Sequence, residues 1–344
     1  MTAPALAPQV DPAAVPTTAA VTVIVCSRNG ARGIVACLDA LAAQEHAPAA
    51  VVVVDDGSTD ATAALADAHP LRPTVLRHRT NHGLGAARTT GIAAASTPLV
   101  AFTDDDCRPG PHWLAGLVAA LPEQAVAVGG AVHAASTDSA ARRYAAVTRP
   151  LAPVEVDTAS GSALDRLTGY VRAARRAPAD GVGREVASLV GASMLVRRDA
   201  LDAVGGFDPA IRFGGDEEDL CRRLRTEFGA AAVRFEPAVV LHHEFDPRPT
   251  DVLRRARAYG RGNHRTWRRA GGVPPLRPFP LLLAALALAG LRFPTMPVVA
   301  LAAPVLLYPR SGRSRAESAA FSYLAAAEDA ATLVGFLQAW WRHR

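Results

Sequence analysis

The sequence contains no lysine: its 344 residues include 37 basic ones, and all of them are arginine. A lysine amine forms Schiff bases with carbonyl substrates, and it contacts nucleotide phosphates in loops of the Walker type. Enzymes that depend on a lysine nucleophile, a Schiff base or a Walker lysine are therefore excluded. The net charge is +5 and half of the residues are apolar, so the chain can bury a sizeable core.

Cysteine is scarce as well. Cys26, Cys37, Cys107 and Cys221 are scattered, and no pair has the Cys-x-x-Cys spacing. The pattern indicates neither a zinc site of paired cysteines nor a disulfide framework, and it favours a reducing, cytosolic compartment. Residues 1–20 are rich in alanine and proline but lack a basic segment and a continuous apolar run. We interpret them as a disordered tail and not as a signal peptide.

Short apolar runs typical of buried strands alternate with stretches typical of helices from residue 21 onward. The predicted strands are 21–25, 51–54, 74–77, 99–102 and 238–241, and the predicted helices are 33–43, 59–68, 84–95 and 216–228. This alternation predicts an α/β fold with a mostly parallel sheet flanked by helices. Ligands of such sheets bind at the carboxyl ends of the strands, which is where the polar motifs are expected.

The first of these motifs is an acidic turn after the strand at 51–54. Asp55 and Asp56 are followed by Gly57, which permits a tight turn. Helix capping alone does not explain two adjacent carboxylates. A carboxylate accepts hydrogen bonds from a nucleobase N–H or a ribose hydroxyl. The turn therefore predicts nucleoside recognition, with helix capping as the alternative.

The second motif is the triplet Asp104-Asp105-Asp106, which follows the strand at 99–102. Three consecutive carboxylates repel one another unless a cation neutralises them. Hard divalent cations take such oxygen ligands and often share them with phosphates. The triplet predicts a divalent metal site, and a solvated acidic loop is the alternative.

Two further polar clusters lie later in the chain. The predicted helix at 216–228 opens with Asp216, Glu217, Glu218 and Asp219. Acids are favourable at a helix N-terminus, but four exceed what a cap needs, so one of them is a candidate general base. The strand at 238–241 is followed by His242 and His243. A histidine there can complete a metal coordination shell or have a structural role.

Taken together and in order, these motifs resemble glycosyltransferase family 2, which has the GT-A fold. The resemblance covers residues 21–243 and rests on Val23-Ile-Val-Cys-Ser-Arg-Asn29, Asp55-Asp56-Gly57-Ser58, residues 81–91, Asp104-Asp105-Asp106, residues 191–198, residues 204–208, residues 216–220 and the late histidines. The chain departs from the family pattern at Cys26, where proline is usual, and at Thr89, where asparagine is usual. Glu217 stands where the family usually has its aspartate base.

The resemblance implies an inverting transfer of a sugar from a nucleotide-sugar donor to a saccharide, lipid or other hydroxyl acceptor, in glycan, glycolipid or cell-envelope biosynthesis. The donor contacts that it implies are Cys26, Arg28, Asp56, Arg88, Asp104 and Asp105. The implied ligands of a Mn²⁺ or Mg²⁺ ion are Asp106, Asp104 and one of His242 and His243. Glu217 takes the position of the catalytic base, and Asp216 is the alternative base.

The C-terminal part differs in kind. Seven arginines between residues 254 and 269 precede two apolar segments, 279–291 and 293–308, each shorter than the roughly 20 residues of a spanning helix. Arginines flank both segments, which predicts that both ends stay on the cytoplasmic side. We expect peripheral or re-entrant attachment to an anionic membrane. A buried helical pair and a solvated basic face are the alternatives, and no motif for reading nucleic acid accompanies the arginines.

The predicted organisation is a catalytic domain over residues 21–250 and a basic, apolar helical region over residues 251–344, which ends in a helix at 316–341. Residues 136–184 are interpreted as a connection or partial helix. Two other functions are compatible with these features. One is a polyprenyl-phosphate glycosyltransferase, whose anionic acceptor would need little help from a base. The other is a non-catalytic membrane scaffold that binds nucleotide sugars, although mutually repelling carboxylates argue against a retired site.

Overall fold

The computed structural model describes residues 19–154, 164, 167–171, 181–212, 214–271, 277–289, 292 and 296–342. Most of the predicted tail at 1–20 and much of the predicted connection at 136–184 therefore lie outside the described residues. The apolar segment 279–291 is described except for its last two residues, and the segment 293–308 is described from residue 296.

Nine strands form one mixed sheet among the described residues. They are β1 (Val21–Ser27), β2 (Ala50–Asp55), β3 (Thr74–Arg77), β4 (Leu99–Asp104), β5 (Cys107–Pro109), β6 (Ala127–Ala134), β7 (Arg184–Glu185), β8 (Met194–Arg197) and β9 (Val233–His243). The helices are α1 (Ile34–Ala42), α2 (Thr62–Asp67), α3 (Leu84–Ala94), α4 (Trp113–Ala119), α5 (Ala140–Thr148), α6 (Arg198–Val204), α7 (Asp216–Phe228), α8 (Pro249–Ala270), α9 (Pro278–Ala289), α10 (Met296–Leu307) and α11 (Arg315–Arg342).

The strand order is β3-β2-β1-β4-β8-β6-β9-β5, and β7 pairs with β9 beside this path. The first four strands are mutually parallel, whereas β8, β5 and β7 run antiparallel to their neighbours. The α/β fold predicted from the alternating pattern is confirmed. In this register Cys26 of β1 lies beside Asp104 of β4, and Ser27 lies beside Asp55 of β2. The sheet therefore brings three separate motifs to one edge.

Helices cover both faces of the sheet, which explains why the inner strands are apolar on both sides. One core lies under α1 and α4, where Leu38 and Trp113 are buried, and the other lies under α3, α6 and α7 around Phe102 and Phe207. The helix α3 lies so close to β1 that a Cβ atom at Gly91 would be 2.5 Å from the Cγ2 of Ile24. This close approach seats the site residues of α3 against the sheet.

The elements β5, α4, β6 and β7 have no counterpart in the sequence prediction, α5 falls in the stretch interpreted as a connection or partial helix, and β9 is longer than predicted. Glycine is unfavourable in a strand interior, and β6 contains both Gly129 and Gly130. The structure shows why they are needed: a Cβ on Gly129 would meet Leu189, and one on Gly130 would meet the carbonyl of Val239. Tertiary packing thus overrides the weak strand signal of β6.

The C-terminal helices pack against one another and against the α/β part of the chain. The helix α11 lies along α8, and the two approach most closely where Gly260 faces the carbonyl of Thr332 and Gly335 faces that of Arg257. The predicted helix at 316–341 is confirmed as α11. Within the described part of the chain, α11 alone is long and apolar enough to cross a membrane. Of its most apolar stretch of 18 residues, 44% is buried.

Polar contacts tie α11 to the rest of the protein. Its Glu317 pairs with Arg143 of α5 at 2.7 Å, and its Glu328 accepts a hydrogen bond of 2.6 Å from the hydroxyl of Tyr144. A third acid of α11, Asp329, is 6% exposed and accepts a hydrogen bond from the hydroxyl of Tyr308. Three carboxylates with protein partners are typical of a helix that packs within the fold.

Candidate active site

A cleft of about 1410 Å³ opens at the edge of the sheet where β1, β2 and β4 end. The predicted site residues that line it are Cys26, Arg28, Asp56, Arg88, Asp104, Asp105, Asp106, Asp216, Glu217 and His243. His242 is the one predicted site residue that does not line this cleft. Motifs spread over more than 200 positions of sequence therefore converge on one solvent-accessible space.

Asp56 is held at the cleft by hydrogen bonds to both of its carboxylate oxygens. It accepts the backbone N–H groups of His82 and Gly83, each at 2.8 Å, and the Nδ1 atom of His78 lies at 2.7 Å. Burial acts to raise the pKa of Asp56, but these hydrogen bonds outweigh it and leave the pKa below the usual value. The neighbouring Asp55 instead accepts an N–H within its own turn at 2.9 Å. Asp55 therefore stabilises the turn, whereas Asp56 lines the cleft.

The acidic triplet begins at Asp104, the last residue of β4, and is partly buried. Asp105 accepts a short hydrogen bond from the hydroxyl of Ser27, so it is anchored to β1. Burial raises the pKa of Asp104 and Asp105 to about 7 and that of Asp106 to about 6, and repulsion from neighbouring carboxylates adds to the effect. Negative charge is therefore unfavourable here without a cation, and the triplet fits a divalent metal ion.

His243, the last residue of β9, contacts this triplet. Its Nε2 atom lies 3.2 Å from the Oδ1 atom of Asp106. Burial lowers the pKa of His243 to about 4, against the opposing effect of Asp104, so its imidazole is neutral at physiological pH, as a metal ligand must be. His242 is exposed and faces the ring of His133, 6.4 Å away between ring centroids. Strand alternation thus places only the second of the two histidines beside Asp106.

Arg88 connects the acidic clusters. It is 1% exposed, and its guanidinium lies 2.5 Å from a carboxylate oxygen of Asp216, 2.9 Å from one of Glu217 and 3.9 Å from one of Asp104. The resemblance implies that this arginine contacts the donor. In the structure, carboxylates from α7 and β4 surround the guanidinium. Its observed role is to neutralise them and to join α3 to the N-terminus of α7.

The two candidate bases differ in exposure. The Asp216 side chain is 0% exposed, whereas that of Glu217 is 19% exposed and accepts the N–H of Gly191 at 3.2 Å. Burial raises the pKa of Asp216. Burial also acts to raise the pKa of Glu217, but the Arg88 charge outweighs it and holds the pKa below its usual value. Of the two, Glu217 is therefore the carboxylate that is both ionised and open to the cleft.

Cys26 and Arg28 line the cleft in different ways. Cys26 is 7% exposed, and burial raises the pKa of its thiol, which therefore stays protonated and unreactive. Arg28 is exposed at the turn that follows β1. The first is therefore a small residue in the cleft wall, and the second is an exposed positive charge at the rim.

Sequence reasoning missed the contribution of α8, which supplies Arg255, Tyr259 and Asn263 to the cleft. A Cβ atom at Gly214 would lie 3.0 Å from the ring of Tyr259, so α8 rests directly on the turn that precedes α7. No motif marks these positions. They lie in the arginine-rich run, which indicates only a basic helix until its packing is known.

Glycosyl transferase family 2 is the family whose model matches this chain, over residues 22–205, more than half of its length. The chain therefore belongs to glycosyl transferase family 2. It is 32% identical over 247 residues to a pre-mycofactocin glycosyltransferase of Mycobacterium tuberculosis. That alignment covers 70% of this chain and 46% of the relative. It is 29% identical over 204 residues to glycosyltransferase AglE of Haloferax volcanii, covering 57% and 58%. The chain thus spans about half the length of these relatives.

Solved structures confirm the GT-A type of fold. Mannosyltransferase PcManGT from Pyrobaculum calidifontis, in complex with GDP-Man and Mn²⁺, matches with a TM-score of 0.61 at 21% identity, over 95% of this chain and 88% of the other. Glucosyl-3-phosphoglycerate synthase from Mycobacterium tuberculosis, in complex with Mn²⁺, UDP-glucose and phosphoglyceric acid, matches with a TM-score of 0.51 at 21% identity, over 74% and 80%. At these identities the likeness concerns the fold alone.

Replacing Arg88 by methionine is expected to lower the free energy of unfolding by about 3–5 kcal/mol, because it leaves buried carboxylates without their counter-charge. Equilibrium urea unfolding would measure the loss. Arg77→Gln is the matched control, since the Arg77–Asp67 pair is 52% exposed at both ends and such pairs contribute about 1 kcal/mol or less. Equal losses in the two variants would contradict the stabilising role of Arg88.

Proposed function

We propose that the protein is an inverting glycosyltransferase that moves a sugar from a nucleotide-sugar donor to an acceptor hydroxyl, in glycan, glycolipid or cell-envelope biosynthesis. The observation that carries the proposal is the convergence of Asp56, the Asp106–His243 pair and Glu217 on one cleft. These three features supply a nucleoside contact, a cation site and a base. The family and the fold support the same reaction class.

The donor half of the cleft is formed by β1, β2 and β4. Asp56 contacts the nucleoside, and the hydrogen bonds from His82 and Gly83 hold its carboxylate in place before the donor arrives. Asp105, bonded to Ser27, keeps the triplet in register with β1. Such preorganisation lowers the cost of binding because the side chains lose little freedom.

The cation site consists of Asp106, Asp104 and His243, with Asp106 as the principal ligand and Mn²⁺ or Mg²⁺ as the ion. When bound, the ion neutralises charge on the donor diphosphate and on the departing nucleotide. Asp106 and His243 offer oxygen and nitrogen 3.2 Å apart, a separation that adjacent ligands of one ion adopt.

Glu217 is the proposed base and takes the proton of the acceptor hydroxyl as that oxygen attacks the anomeric carbon. The N–H of Gly191 and the guanidinium of Arg88 orient its carboxylate. Arg88 also keeps Glu217 ionised, which is the form that accepts a proton. Asp216, enclosed behind Arg88, positions that guanidinium and does not face the acceptor.

Nucleotide release from a panel of GDP- and UDP-sugars, with and without Mn²⁺, tests the proposal. We expect release that depends on Mn²⁺ with at least one donor of the panel, at a slow rate with water and faster with a true acceptor. Tight nucleotide binding without release from any donor would contradict catalysis and favour the scaffold alternative.

Mn²⁺ is expected to stabilise the protein more at about pH 8 than at about pH 5, by roughly 5 °C in Tm at saturating metal. The pKa values of Asp104 and Asp106, about 7 and about 6, lie above their usual value. Protons therefore stabilise the metal-free fold below these values, and that stability falls as the pH rises. Protons also compete with Mn²⁺ at low pH. Thermal melts with and without Mn²⁺ at both pH values would measure this difference, with Asp106→Asn as the control. Equal Mn²⁺-induced changes in Tm at the two pH values would contradict the prediction.

A polyprenyl-phosphate acceptor is the second candidate, and Arg255 favours it. Arg255 lines the cleft, and its guanidinium lies 5.1 Å from the centre of the Phe245 ring. Among the residues that the structure describes, no carboxylate pairs with it within 4 Å. A cleft arginine without an acidic partner suits an acceptor phosphate, and the neighbouring apolar helices α9 and α10 suit a lipid chain.

Attachment to an anionic membrane is proposed for the same C-terminal region. The helices α9 and α10 expose large apolar side chains: Leu281, Leu282, Leu288, Val298, Val299, Leu301, Val305 and Leu306. Exposed Arg313 and Arg315 follow them, as anionic headgroups require. The polar contacts of α11 favour a peripheral or re-entrant arrangement at the cytoplasmic face over a spanning α11.

The double variant Leu301→Glu, Leu306→Glu is expected to weaken binding to phosphatidylglycerol-containing vesicles by 100-fold or more, since about 3 kcal/mol of apolar burial is lost. The two side chains are 64% and 69% exposed, so the fold should tolerate the change. Vesicle sedimentation measures the effect. Val35→Glu, which alters an exposed apolar residue of α1, should bind as the unmodified protein does; unchanged sedimentation of the double variant would contradict the proposal.

A further inference from the structure

Cys107 lies against the proposed cation site, although the reaction proposed above gives it no role. The residue follows Asp106 directly in the chain and occupies the first position of β5. In the antiparallel pairing of β5 with β9 it is directly opposite His243. Side chains of directly opposed residues emerge on the same face of a sheet. The strand register therefore sets the Cys107 thiol beside the imidazole of His243.

Two of the three distances among these side chains match those within a coordination shell. The Sγ atom of Cys107 lies 3.9 Å from the Oδ1 atom of Asp106, which is itself 3.2 Å from the Nε2 atom of His243. One ligand atom from each residue lies within 4.8 Å of the other two. Metal bonds of about 2.0–2.2 Å to nitrogen or oxygen and about 2.3 Å to sulfur place adjacent ligands roughly 3–4 Å apart.

The three donor atoms differ in chemical preference. Oxygen from Asp106 suits Mg²⁺ and Mn²⁺, and imidazole suits the borderline cations. A thiolate strongly favours softer ions such as Zn²⁺ and Cd²⁺ over Mg²⁺. Because Cys107 is 0% exposed, an ion that it binds must lie deeper than one held by the carboxylates alone, and farther from the cleft.

We propose that Cys107, Asp106 and His243 form a three-ligand site for a thiophilic divalent cation, which excludes the Mn²⁺ or Mg²⁺ of the transfer reaction. Binding forms one metal–sulfur bond and releases the thiol proton to solvent, so no oxidant or reductant is needed. Zn²⁺ then acts as an inhibitor that holds Asp106 and His243, two of the three proposed ligands of the productive ion. The inference rests on the proposed function, since it reuses Asp106 and His243.

Cadmium provides the direct test, because a cadmium–thiolate bond has its own ultraviolet charge-transfer band. Cd²⁺ is titrated into the full chain, and we expect one equivalent to produce the band. Cys107→Ser should abolish the band and weaken Cd²⁺ binding roughly 100-fold or more, beyond the effect of losing a residue that only supports a ligand. Cys37→Ser is the matched control, since Cys37 is equally buried and its Sγ atom lies 3.4 Å from the carbonyl oxygen of Asp104; it should retain the band.

Two further measurements keep the test decisive. Asp106→Asn retains every thiol but removes a ligand, so it should lower Cd²⁺ affinity at least about tenfold even if the Cys107 variant folds poorly. Mn²⁺ binding, followed by electron paramagnetic resonance, examines the proposed reaction separately. Mn²⁺ binding without a cadmium band would overturn this inference alone. Absence of Mn²⁺ binding would overturn the cation site of the proposed function. A band that persists in Cys107→Ser would assign the cadmium to another thiol and reject the site.

Discussion

Asp106→Asn is expected to lower metal-dependent sugar transfer by about 10³-fold. A bound divalent ion contributes several kcal/mol of charge stabilisation to the departing diphosphate, and each 1.36 kcal/mol changes the rate about tenfold. The amide keeps the shape of the carboxylate but removes its charge. The Oδ1 atom of Asp106 lies 3.2 Å from the Nε2 atom of His243. No other carboxylate of the turn lies as close to this histidine, so none can replace Asp106 beside it.

The measurement is kcat/KM for nucleotide release over a range of Mn²⁺ concentrations. Asp105→Asn is the matched control, since this residue is the neighbour in the same turn but is bonded to Ser27. We expect the control to retain most of the activity and its Mn²⁺ dependence. If Asp106→Asn turned over the donor at the original rate, the assignment of Asp106 as a metal ligand would be wrong.

Glu217→Gln is expected to lower kcat by about 10²–10⁴-fold with a hydroxyl acceptor, the range usual for loss of a general base. Glutamine can still receive the N–H of Gly191, so the local geometry is preserved while the basic oxygen is lost. Donor binding should change little, because Glu217 is the proposed base and takes no part in the proposed nucleoside contact at Asp56. The effect should therefore appear in kcat and not in the donor KM.

Asp216→Asn is the control for this variant. The Asp216 side chain is 0% exposed, whereas that of Glu217 is 19% exposed, so asparagine at position 216 leaves the exposed candidate base in place. Its effect on kcat should be far smaller than that of Glu217→Gln. The reverse order would transfer the role of base to Asp216.

The Glu217→Gln variant also distinguishes between the two candidate acceptors. A polyprenyl phosphate is already an anion and needs no base, so Glu217→Gln would retain most of its activity with such a lipid. Arg255→Gln would then be the damaging change, since it removes a cleft guanidinium that has no carboxylate within 4 Å among the described residues. If Glu217→Gln kept its transfer activity and Arg255→Gln lost it, the lipid-linked reaction would be favoured over transfer to a hydroxyl.

The parallel half of the fold could be predicted because its strands are buried on both faces. Continuous apolar runs such as Val51–Val54 have few alternatives to an inner strand, and Asp56 and the triplet follow such runs directly. Their convergence then follows from parallel pairing alone. The second half lacks this regularity. β6 is interrupted by glycines, and the predicted strand at 238–241 covers only part of β9.

The sequence by itself predicted the nature of the candidate site: a divalent cation at the acidic triplet, a nucleoside contact at Asp56 and a base at the start of α7. Residue type and position after a strand carry that information, because the chemistry needs carboxylates at strand ends. Only the tertiary structure decided which residue of each pair faces the cleft. His243 lines the cleft whereas the exposed His242 does not, because strand alternation points the two side chains in opposite directions. Glu217 keeps exposed surface in the cleft whereas Asp216 is enclosed against the buried Arg88. The position of Cys107 beside His243 likewise follows from a pairing between distant strands that no spacing in the sequence records.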